Sequence, residues 1–261
     1  VKVGHVEAGL RTFDKTSPFP EELNRQVTGR IVDYHFAPTK ISKNNLLSEC
    51  VLEENITVTG NTVIDSLFWT NEKLKNNFEN EDIFNLKAKI DFTKKVILVT
   101  GHRRENFGDG FLNICKALKE IAKDNTVEII YPVHLNPNVQ KPVLKLLSKC
   151  SNIHLIKPLD YPAFVWMMMQ SYILITDSGG VQEEAPSLGK PVLVMRNTTE
   201  RPEAVSAGTV RLVGANYDSI VKNAVELLGN KEIYQNMAKS HNPYGDGKAN
   251  QRILKFIKQK L

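Results

Sequence analysis

Short runs rich in Val, Ile and Leu alternate along this chain with stretches whose apolar residues recur every three or four positions. The runs have the length of β-strands, and the recurrence is that of helices with one apolar face. Strands that alternate with crossover helices build a mainly parallel sheet. The pattern therefore predicts an α/β protein.

The predicted strands form two groups. Before about residue 60 the candidates are Val1–Val6, Tyr34–Ala37 and Ile56–Val58. Gly60-Asn61 then interrupts the pattern, and a long helix follows to about Phe78. After it the candidates are Val96–Thr100, Glu128–Val133, Ile153–Ile156, Tyr172–Thr176, Val192–Met195 and Val210–Val213.

The number of strands in each group indicates two domains. The six later strands suffice for a complete doubly wound domain, in which ligands bind beyond the carboxyl ends of the strands. Three strands are too few, and the chain begins directly in a strand without an initiator methionine. We therefore expect residues 1–60 to be the second half of an incomplete first domain and residues 61–245 to form the second.

The last segment, residues 246–261, is predicted to be a basic helix whose apolar stripe comprises Ile253, Leu254, Ile257 and Leu261. One such stripe fits a helix that lies on a membrane surface. It also fits a helix that packs onto its own protein, and we favour this alternative because most surface helices carry one apolar stripe.

Composition narrows the class of protein. Hydrophobic residues make up 41% and charged residues 24% of the 261 positions, as in ordinary soluble globular proteins. The net charge of +5 comes from scattered Lys and Arg, which suits a phosphate-bearing ligand but excludes the dense basic surface of a nucleic-acid-binding protein. No apolar run approaches the roughly 18–20 residues that span a membrane.

The three cysteines, Cys50, Cys115 and Cys150, lie far apart and form no C-x-x-C pair. This spacing argues against a disulfide framework and favours a reducing compartment, hence a cytoplasmic protein. Because H-E-x-x-H and D-x-D motifs are also absent, we expect no metal site.

The segment TDSGGVQEEA (residues 176–185) follows an apolar strand and leads into a helix. Backbone N–H groups of Ser178, Gly179 and Gly180 at the helix start can bind an anion such as a pyrophosphate. The carboxylate of Glu184 can accept hydrogen bonds from a ribose diol. The alternative is a tight turn in which Ser178 caps the helix and Glu184 is solvated.

Two further loops follow strands and carry cations. Arg201 can bind a phosphate in a bidentate manner, or it can form an ion pair with Glu200 or Glu203. In the sequence GHRREN (residues 101–106), His102 beside two arginines can hold a phosphate and protonate a departing oxygen, although a single histidine is often structural. His134 has a similar position after its strand.

Two carboxylates near the start are candidates for general acid/base chemistry. Glu7 ends a strand and Glu21 begins a helix, and burial can separate the pKa values of such a pair. The alternatives are that Glu7 pairs with Arg11 or Arg25 and that Glu21 stabilises the helix dipole.

Taken together, these segments resemble the non-hydrolysing UDP-N-acetylglucosamine 2-epimerases of bacteria and archaea. The similar stretches are HVEAGLRT, SPFPEELNRQ, TGNTVID, VTGHRREN, YPVHLNPNV, TDSGGVQEEAPSLGKPVLVMR, TTERPEA and NPYGDG. They extend over the whole chain. Two motifs of the family, a G-T-R-P-E loop and a G-D turn with a proposed catalytic Asp, have no counterpart here, which agrees with an incomplete first domain.

The resemblance implies a fold of two Rossmann-like domains with a ligand cleft, as in GT-B glycosyltransferases, and a last helix that returns to the first domain. It implies catalytic roles for Glu7, Glu21 and His102. Its UDP-binding positions correspond to Leu159, Phe164, Ser178, Gly179, Gly180, Glu184 and Arg201. Glu22, Arg103 and His134 correspond to a second site at which substrate activates many bacterial members.

The implied reaction is the reversible epimerisation of UDP-N-acetylglucosamine at C2, through elimination and re-addition of UDP, with no redox cofactor or metal. The implied assembly is a homodimer, and the implied process is the synthesis of cell-surface polysaccharides. Two alternatives stay open: a hydrolysing epimerase, which releases free N-acetylmannosamine and UDP, and a non-catalytic protein that binds nucleotide sugars.

Overall fold

The computed structural model describes residues 1–260, which form two compact units. The first unit comprises Val1–Trp69, Thr198–Ala204 and the chain from Asn242 onward. The second unit comprises Thr70–Asn197 and Val205–His241.

Residues 1–260 contain nine strands and twelve α-helices. The strands are β1 (Gly4–Val6), β2 (Tyr34–Ala37), β3 (Ile56–Val58), β4 (Lys95–Thr100), β5 (Val127–Pro132), β6 (Ile153–Ile156), β7 (Ile173–Thr176), β8 (Val192–Val194) and β9 (Val210–Leu212). The helices are α1 (Glu21–Ile31), α2 (Lys40–Ser48), α3 (Thr62–Lys75), α4 (Glu81–Lys89), α5 (Asp109–Ile121), α6 (Pro137–Leu147), α7 (Tyr161–Gln170), α8 (Val181–Ser187), α9 (Pro202–Ser206), α10 (Tyr217–Gly229), α11 (Lys231–Ala238) and α12 (Ala249–Lys260).

The second unit is a six-stranded parallel sheet in the order β6-β5-β4-β7-β8-β9. All six strands predicted after residue 95 are present, and the four inner ones, β5, β4, β7 and β8, are Val- and Ile-rich runs buried on both faces as in other parallel sheets. Val99, Ile129 and Ile175 are fully buried in a core that includes Phe111 and Leu118 of α5. The strand order reverses between β4 and β7, and ligands of open α/β sheets bind beyond the strand ends at such a reversal.

The first unit contains a three-stranded parallel sheet in the order β1-β2-β3. The strand predicted over Val1–Val6 begins only at Gly4. Beyond β1 the chain turns sharply at Gly9, whose φ is +87°. A Cβ at this position would lie 2.1 Å from the carbonyl oxygen of Ser42 in α2, so only glycine fits there.

The last helix, α12, packs onto the sheet of the first unit. The ring of Phe256 meets those of Tyr34 and Phe36 edge-on, with centroids 5.2 and 5.4 Å apart. The prediction that this helix packs onto its own protein is thus confirmed, but its predicted stripe is partly wrong. Leu254 is 56% exposed, Phe256 makes the contact, and Leu261 lies outside the described residues.

Among residues 1–260, none of the helices combines the length and the apolar character that a membrane span requires.

Candidate functional site

A cavity of about 320 Å³ lies at the carboxyl end of the sheet of the second unit. Its volume falls within the range of small-molecule sites. It lies at the β4–β7 reversal. The lining residues are Thr100, Gly101, His102, Pro132, His134, Pro158, Leu159, Tyr161, Phe164, Ser178, Val181 and Glu184.

The cavity brings together six of the candidates predicted from the sequence. They are His102, His134, Leu159, Phe164, Ser178 and Glu184. Gly179 and Gly180 follow Ser178 in the loop before α8, and Arg103 follows His102. Arg201 belongs to the first unit, as do Glu7, Glu21 and Glu22.

A larger opening of about 620 Å³ in the second unit lies beside β9 and α11. Its one charged lining residue, Arg211, already pairs with Glu226 and Asn223. We therefore assign the candidate site to the smaller cavity, where ionisable groups line the wall.

Asp177, which the sequence reasoning did not select, anchors the loop that carries His102. The Asp177 carboxylate is fully buried and accepts backbone N–H bonds of 2.9 Å from His102 and Arg103. It also accepts a bond of 3.3 Å from Nδ2 of Asn106. One signal was available, because an acidic residue directly after a buried strand needs partners.

The His102 side chain lies between an acid and a second imidazole. Its Nδ1 is 3.5 Å from Oδ1 of Asp177, and its ring stacks on His134 with centroids 5.4 Å apart. About 42% of the side chain is exposed. When protonated, His102 can therefore form an ion pair with Asp177, and its ring borders the cavity.

The loop before α8 is a structured turn. The N–H of Ser178 donates to Oγ1 of Thr176 over 2.9 Å, so this predicted anion donor is already satisfied within the loop. Gly180 has helical φ and ψ angles, −60° and −41°. A side chain at 180 would stand 3.5 Å from Oε2 of Glu184, so the glycine leaves the space beside that oxygen open.

Glu184 is only 6% exposed, and burial raises the pKa of its carboxyl. Tyr161 donates its hydroxyl to Oε1 of Glu184 over 2.7 Å, which partly opposes that rise. Burial, and then the nearby Glu184 carboxylate, raise the pKa of Tyr161. The sequence reasoning missed Tyr161, although it lies three residues before Phe164.

In the first unit, Glu7 and Arg201 are in direct contact. Oε1 of Glu7 accepts bonds of 3.1 Å from Nη2 of Arg201 and from Nδ2 of Asn61. Glu7 has a φ of 66°, a backbone conformation that non-glycine residues adopt mainly where a structure requires it. Arg201 is almost completely buried and also donates to Glu200 over 2.7 Å.

The ion pair of Arg201 with Glu200 was one of the predicted alternatives. The predicted pairs of Glu7 with Arg11 or Arg25 are wrong, because both arginines lie against other carboxylates. Arg11 forms a bidentate pair with Glu49, at 2.7 and 2.9 Å. Nη1 of Arg25 lies 3.7 Å from Oε1 of Glu200.

The adjacent residues Glu21 and Glu22 differ in environment. Glu21 is partly buried at the start of α1. The Glu22 carboxylate is fully buried and accepts the N–H groups of Thr12 and Phe13, at 3.0 and 3.1 Å, and Nε2 of Gln26, at 2.9 Å. Glu22 therefore fixes the turn over Thr12 and Phe13.

Comparison with known proteins identifies chains similar to this one. A family profile described as "UDP-N-acetylglucosamine 2-epimerase" matches residues 1–258. A UDP-N-acetylglucosamine 2-epimerase of Yersinia pestis is 58% identical over 260 residues, which cover 99% of this chain and 69% of the relative. One of Campylobacter jejuni is 54% identical, with 98% and 68% covered.

Solved structures of proteins with the same name have a similar fold. The UDP-GlcNAc 2-epimerase of Neisseria meningitidis, bound to UDP-GlcNAc, superposes with a TM-score of 0.96 at 50% identity, covering 99% of this chain and 70% of that one. The enzyme of Methanocaldococcus jannaschii, in complex with UDP-GlcNAc and UDP, gives 0.85 at 35% identity, with 99% and 69% covered. The predicted α/β fold with parallel sheets is confirmed.

Proposed function

Because the chain belongs to the UDP-N-acetylglucosamine 2-epimerase family, we propose that it interconverts UDP-N-acetylglucosamine and UDP-N-acetylmannosamine by inversion at C2. The activity is that of an isomerase. The observation that carries the proposal is the cavity at the β4–β7 reversal, which is lined by an aromatic ring, a buried carboxylate and a histidine.

The chemistry requires departure of UDP. The C2 proton of the sugar has no adjacent carbonyl, so its direct removal is too costly. When the C1–O bond breaks, its electron pair leaves with UDP and positive charge develops on the ring, which acidifies C2–H. A carboxylate takes the proton and a C1=C2 double bond forms. UDP then adds to C1 again while a proton reaches C2 from the opposite face.

The proposed uridine contacts are in the second unit. Phe164 supplies an aromatic face for the uracil ring, and Leu159 contacts the base through its backbone. Glu184 accepts hydrogen bonds from the ribose hydroxyls. The loop of Ser178, Gly179 and Gly180 binds the pyrophosphate at the start of α8 through donors other than the Ser178 N–H, which Thr176 already accepts. We assign the UDP-binding domain, predicted over residues 61–245, to the second unit, and the last segment, predicted over residues 246–261, to the first domain through its helix α12.

The proposed leaving-group residues are His102 and Arg201. His102, held beside Asp177, stabilises the negative charge that grows on the departing diphosphate. Arg201 is a phosphate ligand, and its bond to Glu7 positions that carboxylate. Two faces of C2 require more than one acid/base group, and we assign this work to Glu7 and Glu21.

A regulatory site and an assembly complete the proposal. We assign Glu22, Arg103 and His134 to a second site at which UDP-N-acetylglucosamine activates the enzyme. We further propose that the protein is a cytoplasmic homodimer.

Proton NMR of the protein with UDP-N-acetylglucosamine tests this function. We expect UDP-N-acetylmannosamine to appear and both nucleotide sugars to persist at equilibrium, with little free UDP. Accumulation of free N-acetylmannosamine together with UDP would instead identify a hydrolysing enzyme. Line broadening of the ligand without any product would identify a protein that only binds nucleotide sugars.

A further inference from the structure

The cavity wall contains a pair of ionisable side chains of which the mechanism above uses only one. The Tyr161 hydroxyl donates to Oε1 of Glu184 over 2.7 Å, and both side chains line the cavity. Tyr161 begins α7, where the Asp160 carboxylate caps the helix through the N–H of Ala163. The Asp160 cap thus fixes the first turn of α7 and, with it, the position of the Tyr161 side chain.

We propose that Tyr161 orients the Glu184 carboxylate and thereby makes the site select ribonucleotides over 2′-deoxyribonucleotides. The inference rests on the proposed UDP site and adds a specificity-determining residue to it.

The position of the Glu184 carboxylate suits it to bind two adjacent hydroxyls. A carboxylate oxygen has two acceptor positions, so Oε1 retains one after it has accepted the Tyr161 hydroxyl. Oε2 lies beside Gly180, and, apart from the glycine's chain neighbours and the backbone of α8, no other atom of residues 1–260 comes within 4 Å of the point where a Cβ at this position would stand. With Oε1 tied to Tyr161, the carboxylate keeps one orientation and presents both oxygens to a pair of adjacent hydroxyls.

Tyr161 also affects the protonation state of the carboxylate. Burial raises the pKa of Glu184, which favours a neutral acid that is a poorer acceptor. The Tyr161 hydroxyl lowers that pKa and so favours the charged form. Hydrogen bonds to charged groups are the stronger ones, and a site built around such a bond rejects a ligand that lacks the hydroxyl.

Calorimetry with UDP and 2′-deoxy-UDP tests the inference on the whole chain. For the unaltered protein we expect UDP to bind about 10–100-fold more tightly than 2′-deoxy-UDP, the range for one hydrogen bond to a charged group. In Tyr161→Phe we expect that ratio to fall to about threefold or less, chiefly through weaker binding of UDP. On acidification, this variant should lose its affinity for UDP at a higher pH than the unaltered protein does, because the pKa of Glu184 is no longer lowered by the Tyr161 hydroxyl.

Tyr172→Phe is the matched control. It removes a tyrosine hydroxyl in the same unit, where the ring of Tyr172 stacks on Tyr234 with centroids 4.0 Å apart, and Tyr172 is not among the lining residues. This variant should keep the full ratio. Glu184→Gln should lose the ratio whether or not Tyr161 is present, because the amide replaces the oriented carboxylate.

The outcomes separate the two proposals. Equal loss of affinity for UDP and 2′-deoxy-UDP in Tyr161→Phe would overturn the inference and leave Tyr161 as a structural residue. Equal affinity of the unaltered protein for both nucleotides would also overturn it. Failure of the unaltered protein to bind UDP at all would overturn the proposed function, and the inference with it.

Discussion

Asp177 joins two loops of the second unit at the level of single residues. It follows β7, yet its carboxylate accepts the backbone N–H groups of His102 and Arg103, which follow β4. Because the carboxylate is fully buried, each of these donors contributes to holding His102 beside the cavity.

Asp177→Asn should therefore destabilise the protein and impair turnover. The amide offers one acceptor oxygen in place of two and brings an N–H₂ group toward N–H donors. We expect the free energy of unfolding to fall by about 2 kcal/mol, as for hydrogen bonds to charged groups. Turnover should fall by a larger factor than affinity for UDP, because His102 acts as charge develops on the leaving group.

Urea unfolding and initial-rate kinetics measure both effects. Asp124→Asn is the control, since Asp124 is exposed and accepts its bonds from Thr126 within a turn. That variant should lose less than about 1 kcal/mol and keep its turnover. If the two variants behave alike, Asp177 does not position His102.

The side chains that the sequence reasoning missed share one property. The partners of Asp177 lie more than 70 positions away, at His102 and Arg103, and Tyr161 meets Glu184 across 23 positions. Such contacts depend on which strands are neighbours. A single sequence predicts strands through their apolar runs, but it does not fix their order in the sheet.

At the scale of elements, β1 and β2 place two histidines opposite each other. His5 and His35 are register partners in this parallel pair. Burial lowers the pKa of both imidazoles. Arg11 lowers the pKa of His35 further, and His35 and Arg11 do the same for His5.

These shifts predict a loss of stability in mild acid. In the unfolded chain the histidines titrate near their ordinary pKa of about 6.5, so below that pH the unfolded state binds more protons than the folded one. The free energy of unfolding should be constant above this value and should decrease as the pH falls below it. His35→Gln should flatten the decrease, because glutamine does not titrate.

Urea unfolding between about pH 8 and about pH 5 measures this dependence. His241→Gln is the control, since His241 is exposed in the second unit and its replacement should leave the slope unchanged. Identical slopes for the two variants would show that the pair of histidines in β1 and β2 is not the cause.

The bounds of the strands were predicted more accurately in the second unit than in the first. The strands of the second unit begin and end within one residue of their predicted positions. The four inner strands are buried on both faces, and such strands are nearly continuous apolar runs. β1 is shorter than predicted. The carbonyl oxygen of Val3 accepts the N–H groups of Asp33 and Tyr34, but its own N–H donates to the Asp33 carboxylate and its side chain is exposed.

At the scale of the whole molecule, one short segment belongs to a different unit from the residues before and after it in the chain. Thr198–Ala204 belongs to the first unit although the chain on both sides of it belongs to the second. Glu203 of this segment is buried and accepts bonds from the hydroxyls of Thr39 and Tyr244. The sequence indicated that Arg201 binds an anion or an acid, but its contact with Glu7 joins residues 194 positions apart.

The central claim is that the C2 proton is removed by a carboxylate during reversible loss of UDP. The most direct measurement is the deuterium content at C2 of both nucleotide sugars recovered after incubation in deuterium oxide. We expect deuterium at C2 in step with epimerisation, while little free UDP accumulates, and we expect Glu7→Gln to slow its incorporation by about 100-fold or more. Interconversion of the two sugars with hydrogen fully retained at C2, or incorporation at the unaltered rate in Glu7→Gln, would contradict the account.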